Sequence, residues 1–261
     1  MVFASAILAN LLLATAAFAA PSRSEERIAR RRAGRQSNPN FRLGGESQGA
    51  LSTNASHVEF SSNWAGAVWD TQPAGTFKSV TGTFVVPTPT GSNGAASAWV
   101  GIDGDTCGSA ILQTGVDFTI SNGRVSYDAW FEWFPAAAVD FSGITIRAGD
   151  TITVTVTAST TKSGTAVIQN KSNGQTVSKS LSSSSALCEQ NAEWIVEDFE
   201  EGGSLVTFAN FGTVTFTNAV ATTFSGSTFT PAGATLIEIE QGSTVLTTVS
   251  TSGNNLIVKH N

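Results

Sequence analysis

The sequence predicts an all-β domain built as a sandwich of two antiparallel sheets, on three observations. Apolar and polar residues alternate with period two in Thr151-Ile152-Thr153-Val154-Thr155-Val156-Thr157, Thr165-Ala166-Val167-Ile168 and Ala234-Thr235-Leu236-Ile237-Glu238-Ile239-Glu240. Turn signals punctuate such runs at Pro87-Thr88-Pro89, Gly91, Asn93-Gly94, Asn122-Gly123, Ala148-Gly149-Asp150, Asn173-Gly174 and Gly202-Gly203. Charged residues supply only 13% of the protein, and Ser, Thr and Gly take their place. That balance suits short strands with polar turns better than charged helices. No stretch carries an apolar stripe of helical period and no unit recurs at a fixed interval, so residues 53–261 read as one sandwich domain.

Two segments precede that domain. Met1 to Ala20 carry no charged side chain, Ile7 to Leu13 is mostly apolar, and Ala17-Phe18-Ala19 offers a small-x-small cleavage site. Residues 1–19 therefore read as a signal peptide, although the usual Lys or Arg at its start is missing. The apolar run is too short to span a membrane. From Pro21 to Ser52 there are seven arginines (23, 27, 30, 31, 32, 35 and 42) and three glutamates (25, 26 and 46), a net of 7 − 3 = +4. The sequence from Thr53 onward then holds 14 − 7 = 7 Lys plus Arg against 20 − 3 = 17 Asp plus Glu, a net of −10. The basic stretch has too few large apolar residues to form a core. Behind an export signal, residues 20–52 read as a basic propeptide that neutralises an acidic partner domain until it is cut, with Arg30-Arg31-Arg32 as one processing point. The expected product is a secreted, extracellular monomer. Cys107 and Cys188 make an even count, which in a secreted protein predicts one disulfide. Asn170-Lys171-Ser172, beside an Asn-Gly turn, reads as an exposed glycosylation sequon, and Asn54-Ala55-Ser56 is a second.

Much familiar chemistry is excluded. The two histidines are His57, near the expected processing boundary, and the penultimate His260. A Ser-His-Asp or Cys-His arrangement needs a histidine held rigidly in a core site. There is no His-Glu-x-x-His, no His and Cys cluster suited to zinc, no Asp-Thr-Gly or Asp-Ser-Gly, and no phosphate-binding loop, so no metal or cofactor is expected. The acidic domain disfavours nucleic acid. Carboxylate, amide and aromatic chemistry remain.

Two acidic aromatic stretches carry that chemistry. In Tyr127-Asp128-Ala129-Trp130-Phe131-Glu132-Trp133-Phe134-Pro135, strand alternation puts Asp128, Trp130, Glu132 and Phe134 on one face, with Tyr127, Ala129, Phe131 and Trp133 on the other. In Asn191 to Glu201, residues Glu193, Ile195, Glu197 and Phe199 share a face. A carboxylate on a half-apolar face loses hydration, so its pKa rises and it can serve as a general acid or base in mild acid. Spacing alone leaves open an ordinary aromatic core with solvated carboxylates, a glycosidase or glycan-binding module, and a peptidase.

These stretches, with others, resemble the glutamic peptidase family, the eqolisins. The matching segments are Ser62 to Gly66, Ala98 to Cys107, Ile111-Leu112-Gln113-Thr114-Gly115, Tyr127 to Pro135, Ser142 to Ile146, Val177 to Ser180 and Asn191 to Glu201. They keep the family's order and spacing from about Asn63 to Phe211. The resemblance implies a lectin-like, concanavalin-like sandwich of two curved antiparallel sheets and an acid endopeptidase acting on proteins and peptides. It implies Gln113 and Glu197 as the catalytic pair, and Trp64, Trp99, Asp103, Asp128, Trp130 and Glu132 as substrate-cleft residues. Cys107 and Cys188 fall at the family's disulfide positions, and the family's pre-pro arrangement matches the basic leader.

Overall fold

The computed structural model describes residues 34–44 and 58–261. The expected signal peptide, Arg30-Arg31-Arg32, the Asn54 sequon and His57 lie outside the described residues. Among the described residues every regular element is a strand. In sequence order these are β1 (Val58–Ser61), β2 (Trp64–Trp69), β3 (Phe77–Val85), β4 (Gly94–Ile102), β5 (Ile111–Ser121) and β6 (Arg124–Phe134). There follow β7 (Val139–Asp140), β8 (Thr151–Thr160), β9 (Ser163–Asn170), β10 (Gln175–Ser182), β11 (Ala192–Glu197), β12 (Glu200–Glu201) and β13 (Ser204–Leu205). The last are β14 (Thr213–Thr223), β15 (Thr228–Phe229), β16 (Thr235–Gln241), β17 (Thr244–Val245), β18 (Thr247–Ser252) and β19 (Asn255–His260).

Two large sheets form the sandwich. One runs β1-β16-β2-β11-β4-β5-β6-β7, with β17 beside β16; the other runs β10-β9-β8-β3-β14-β19-β18, with β15 beside β14. Pairing is antiparallel except between β1 and β16, which run parallel. Hairpin turns fall where the Asn-Gly dipeptides stand: at Asn122-Gly123 both residues take positive φ, and at Asn173-Gly174 the glycine does, which these residue types tolerate.

The inner faces close on one apolar core. Trp194 and Val196 of β11, Ala98 and Val100 of β4, Leu112 and Val116 of β5, and Phe131 of β6 meet Val80 and Phe84 of β3, Val154 of β8 and Phe216 of β14. The outer face of the eight-stranded sheet is hydroxylic: Thr81 faces Thr155 and Thr83 faces Thr153, each at 2.8 Å between hydroxyl oxygens. The outer face of the nine-stranded sheet is different, carrying a second buried cluster of Trp64, Val68, Trp99, Ile111, Trp130, Ala138, Ile195 and Ile237. Cys107 and Cys188 are bonded, 81 residues apart in sequence. They tie the loop after β4 to the loop before β11, which holds the two central strands in place.

One expectation is corrected here. Asn170 is buried, and its side-chain amide donates to the Thr145 carbonyl at 2.9 Å and to Asp150 Oδ2 at 2.7 Å. It anchors the loop ahead of β8 and is not the exposed sequon its turn context predicts.

Candidate active site

The site is laid out in rows across the outer face of the nine-stranded sheet. Register places Val68, Glu193, Gly101, Gln113 and Glu132 in one row across β2, β11, β4, β5 and β6. The next same-face row is Gly66, Ile195, Trp99, Gly115 and Trp130, and the third is Trp64, Glu197, Ser97, Asp117 and Asp128. Trp99 is central because its neighbours are small. A Cβ at Gly115 would run into the Trp99 Cα and Cβ, and one at Gly101 would meet both the Trp99 ring and the Glu193 carboxylate.

Every carboxylate in this face is out of water. Glu197 is 0% exposed. Its Oε2 accepts from Trp99 Nε1 at 2.9 Å and its Oε1 from the backbone N–H of Asn38 at 3.0 Å. Burial pushes the Glu197 carboxyl up to about 7, with Arg35 and these donors holding it below where burial alone would take it. Burial also pushes Glu132 well above the carboxylate range, against the opposing pull of Arg35 and the Ser37 N–H. Glu193 is pushed well up by burial and by its neighbours Asp103 and Asp105, and neither of its oxygens has a hydrogen-bond partner within the protein. The amide of Gln113 likewise has no such partner. A buried polar group left unmatched costs stability, so this row is poorly satisfied by the fold itself.

Residues 34–44 lie across this face. The Arg35 guanidinium binds Asp117 through two nitrogens, at 2.7 and 3.0 Å, and reaches Glu132 Oε2 at 3.4 Å. It stacks 4.0 Å from the Trp130 ring centroid and 4.4 Å from that of Phe199. Burial disfavours its charge, but Asp117, Glu132 and Glu197 together more than offset this, and its pKa ends above the ordinary value. Gln36 and Glu200 exchange backbone hydrogen bonds, both at 3.0 Å. The Ser37 N–H donates to Glu132 Oε2 at 3.1 Å. Trp64 Nε1 donates to the Asn38 carbonyl at 3.0 Å and Asn63 Nδ2 to the Pro39 carbonyl at 3.1 Å. Arg42 closes the far end on Asp105, Asp70 and Glu59.

The structure thus gathers Trp64, Trp99, Trp130, Glu132 and Glu197 around one stretch of peptide, with Gln113 in register beside Glu132. Asp128 is buried at the end of the third row. Asp103 is placed differently from its expected cleft position. It takes a left-handed backbone with φ 70°, and its carboxylate accepts the N–H groups of Glu189, Gln190 and Asn191 at 2.8 to 3.1 Å. Its oxygens secure the turn after Cys188 instead of facing a substrate, because three converging backbone donors outcompete water for a buried carboxylate. Asp103 also lies near both cysteine sulfurs, but the disulfide takes those sulfurs out of consideration as metal ligands.

The match to known proteins extends over nearly all of this architecture. Residues 62–260 match the Peptidase A4 family. Aspergillopepsin-2 of Aspergillus niger is 48% identical over 98% of this chain and 99% of its own length. The chain belongs to the Peptidase A4 family. Scytalidopepsin B of Scytalidium lignicola is 45% identical, over 84% of each protein. Among solved structures, scytalido-glutamic peptidase with a transition state analog inhibitor superposes with a TM-score of 0.71 at 42% identity, covering 77% of this chain and 98% of that one. Aspergilloglutamic peptidase from Aspergillus niger gives 0.62 at 57% identity, covering 64% and 99%. The Peptidase A4 fold is therefore the fold seen here, and the fork between glycosidase and peptidase closes on the peptidase.

Three residues of the site are absent from the expected set. Asp117 holds Arg35, Ser97 bridges Arg35 and the Trp130 indole, and Asn63 holds the segment at Pro39 and Phe41. Asp117 stands four residues after Gln113 on β5 and so on its face, a signal strand alternation supplies. Ser97 and Asn63 are short polar residues with no spacing that distinguishes them.

Proposed function

We propose that this protein is a secreted acid endopeptidase in which Glu197 and Gln113 hydrolyse the peptide bond. The observation that carries the reading is the Asn38 N–H on Glu197 Oε1 at 3.0 Å: a peptide nitrogen sits where a general acid must deliver its proton. Glu197 as carboxylate takes a proton from the attacking water and returns it to the leaving nitrogen. Gln113 turns its amide N–H to the developing oxyanion and its amide oxygen to the water. The value of about 7 for Glu197 belongs to a filled, dry cleft. When a substrate enters together with the attacking water, that water hydrates the carboxylate and its pKa falls back toward the carboxylate range, so it is ionised for base work in weak acid.

Residues 20–52 act as an inhibitory propeptide in this reading. One support is that the arginines of residues 34–44 lie on the acidic groups of the cleft. Another is the extent of the matches. The solved scytalido-glutamic peptidase spans 77% of this protein, whereas Aspergillopepsin-2 aligns over 98% of it. Acid neutralises Glu132, whose carboxyl burial already pushes up, which removes one of the charges that hold Arg35 and loosens the segment. Release that is indifferent to pH at constant ionic strength would sink that step. The Arg35 pocket of Asp117, Glu132, Trp130 and Phe199 also makes the cleft receptive to a cationic group of a substrate.

The test is hydrolysis of denatured casein by acid-treated protein across acid to neutral pH, with and without pepstatin, beside Glu197→Gln. Cleavage that is strongest in acid, resists pepstatin and vanishes in the variant is expected. No cleavage at any pH by a folded, processed domain overturns the reading. Cleavage that persists in Glu197→Gln overturns the assignment of the pair.

A further inference from the structure

We propose that Glu193 is a positioning residue for Gln113: through one water bridging the two over Gly101, its carboxyl fixes which way the Gln113 amide points. The proposal rests on the peptidase reading above. In that reading Gln113 works in one orientation, with its N–H toward the oxyanion and its oxygen toward the attacking water. An amide can turn over unless its partners specify one orientation, and neither Nε2 nor Oε1 of Gln113 has a partner within the protein. Glu193 is in the same condition. Both side chains are fully buried, and both Glu193 oxygens are likewise unmatched. Register puts Gly101 between them, paired with Glu193 on one side and with Gln113 on the other. Neighbouring strands lie about 4.8 Å apart, so the two Cα atoms stand about 10 Å apart with no side chain between them. The Glu193 carboxyl is turned off its own strand over that glycine: a Cβ on Gly101 would lie 2.5 Å from Glu193 Oε1 and 2.8 Å from the Trp99 ring. A buried water needs polar partners to stay, and here a carboxyl and an amide supply them.

The proton on Glu193 sets the direction of this chain. Burial keeps that proton on, and Asp103 and Asp105 add to the effect. These two carboxylates, in the turn after β4, are the charges that bear on Glu193; Asp105 is itself tied to Arg42, which Asp70 and Glu59 also hold. Val68 on β2, Trp99 on β4 and Gln113 on β5 carry no charge, and Glu132 stands one strand beyond Gln113. With its proton, Glu193 donates to the water, and the water donates to Gln113 Oε1. Successive bonds in such a chain strengthen one another when they run in one direction. The amide oxygen keeps a second lone pair for the attacking water, and the N–H is left for the oxyanion. Without its proton Glu193 can only accept. The water then gives its hydrogen to the carboxylate and takes the Gln113 N–H, which turns the amide away from the oxyanion. Activity is thus confined to a window of pH: it is gained as Glu197 ionises and lost as Glu193 does.

The experiment measures kcat and KM on denatured casein across pH with acid-treated protein, comparing the wild type, Glu193→Leu, Glu193→Gln and Glu193→Leu combined with Gln113→Ala. Glu193→Leu removes the donor and should lower kcat by roughly three- to tenfold at the acid optimum, the loss of about one hydrogen bond, with KM little changed. Glu193→Gln keeps an N–H donor that cannot ionise, so it should restore kcat and carry activity to higher pH than the wild type. In the Gln113→Ala background, Glu193→Leu should cost nothing further, because the two residues act as one unit. Near-ultraviolet circular dichroism checks the fold of each variant; if Glu193→Leu does not fold, the alkaline limb of Glu193→Gln decides alone. Full kcat in Glu193→Leu, an alkaline limb unmoved in Glu193→Gln, or an equal further loss in the Gln113→Ala background overturns this inference and leaves the peptidase reading standing. A folded, processed wild type that hydrolyses no casein overturns the peptidase reading, and this inference with it.

Discussion

The two sheets present opposite solutions to the same problem, an outward face that is not core. On β8 the outward threonines are half-exposed and alternate with buried Ile152, Val154 and Val156. On β11 all six residues are buried, the outward Glu193 and Glu197 as much as the inward Trp194 and Val196. The threonine face satisfies its hydroxyls locally, across 2.8 Å to the neighbouring strand. The carboxylate face leaves Gln113 and Glu193 unmatched and raises the pKa of Glu132, Glu193 and Glu197. A strand can therefore stabilise the fold with one face and hold costly reactive groups on the other, because alternation decouples the two faces.

That decoupling can be broken by substitution on single strands. The largest effect is expected for Trp194→Ala, which empties a buried indole site between the sheets and should cost about 3–5 kcal/mol in denaturant unfolding. Gln113→Ala should lower kcat/KM by at least roughly 100-fold through loss of an oxyanion donor. It should leave the unfolding midpoint unchanged or raised, because the deleted amide bonds to nothing in the protein. A collapse in stability there would show that the outer row also holds the fold.

Glu193→Gln sharpens the contrast through pH. Burial raises the Glu193 pKa in the folded state, so the folded protein holds this proton more tightly than the unfolded state does. Its contribution is fully present below the unfolded carboxylate pKa of about 4.3 and is lost as pH rises toward the folded value. The wild type should therefore lose stability from weak acid to neutral pH. Glu193→Gln, which cannot ionise, should flatten that slope by up to about 1.4 kcal/mol per pH unit. An unchanged slope would assign the effect to the other carboxyls that burial raises, Glu132, Glu197, Asp198 and Asp103 among them. The smallest effect is expected for Thr155→Ala, under about 1 kcal/mol, since it removes one half-exposed hydroxyl pair between neighbouring strands.

The same contrast explains what is legible in the sequence. Period-two alternation assigns the two faces of 127–134 and of 193–197 as the structure has them, since strand geometry alone decides them. The Asn-Gly turns and the Thr-Val run of β8 are equally plain. The parallel pairing of β1 with β16 is not, because pairing partners far apart in sequence leave no local trace. Arg35 and Asp117 meet across 82 residues, and only register brings them together. Family resemblance puts Asp103 in the cleft, but its place is decided by the backbone of 189–191, whose turn no motif announces. Asn170 fails as an exposed sequon for a similar reason: its turn context says nothing about what folds over it.

The order of strands in the nine-stranded sheet also governs when the molecule can begin to work. Trp64 on β2 and Glu197 on β11 are neighbours, and β2 is flanked on its other side by β16, which is drawn from residues 235–241. Pairings between segments so distant in sequence form slowly and late. The sheet that carries the cleft is therefore completed by a strand from the last quarter of the domain, and its completion waits until that strand has been made. By the time β16 arrives to complete the sheet, residues 34–44, which lie across its outer face, have long preceded it.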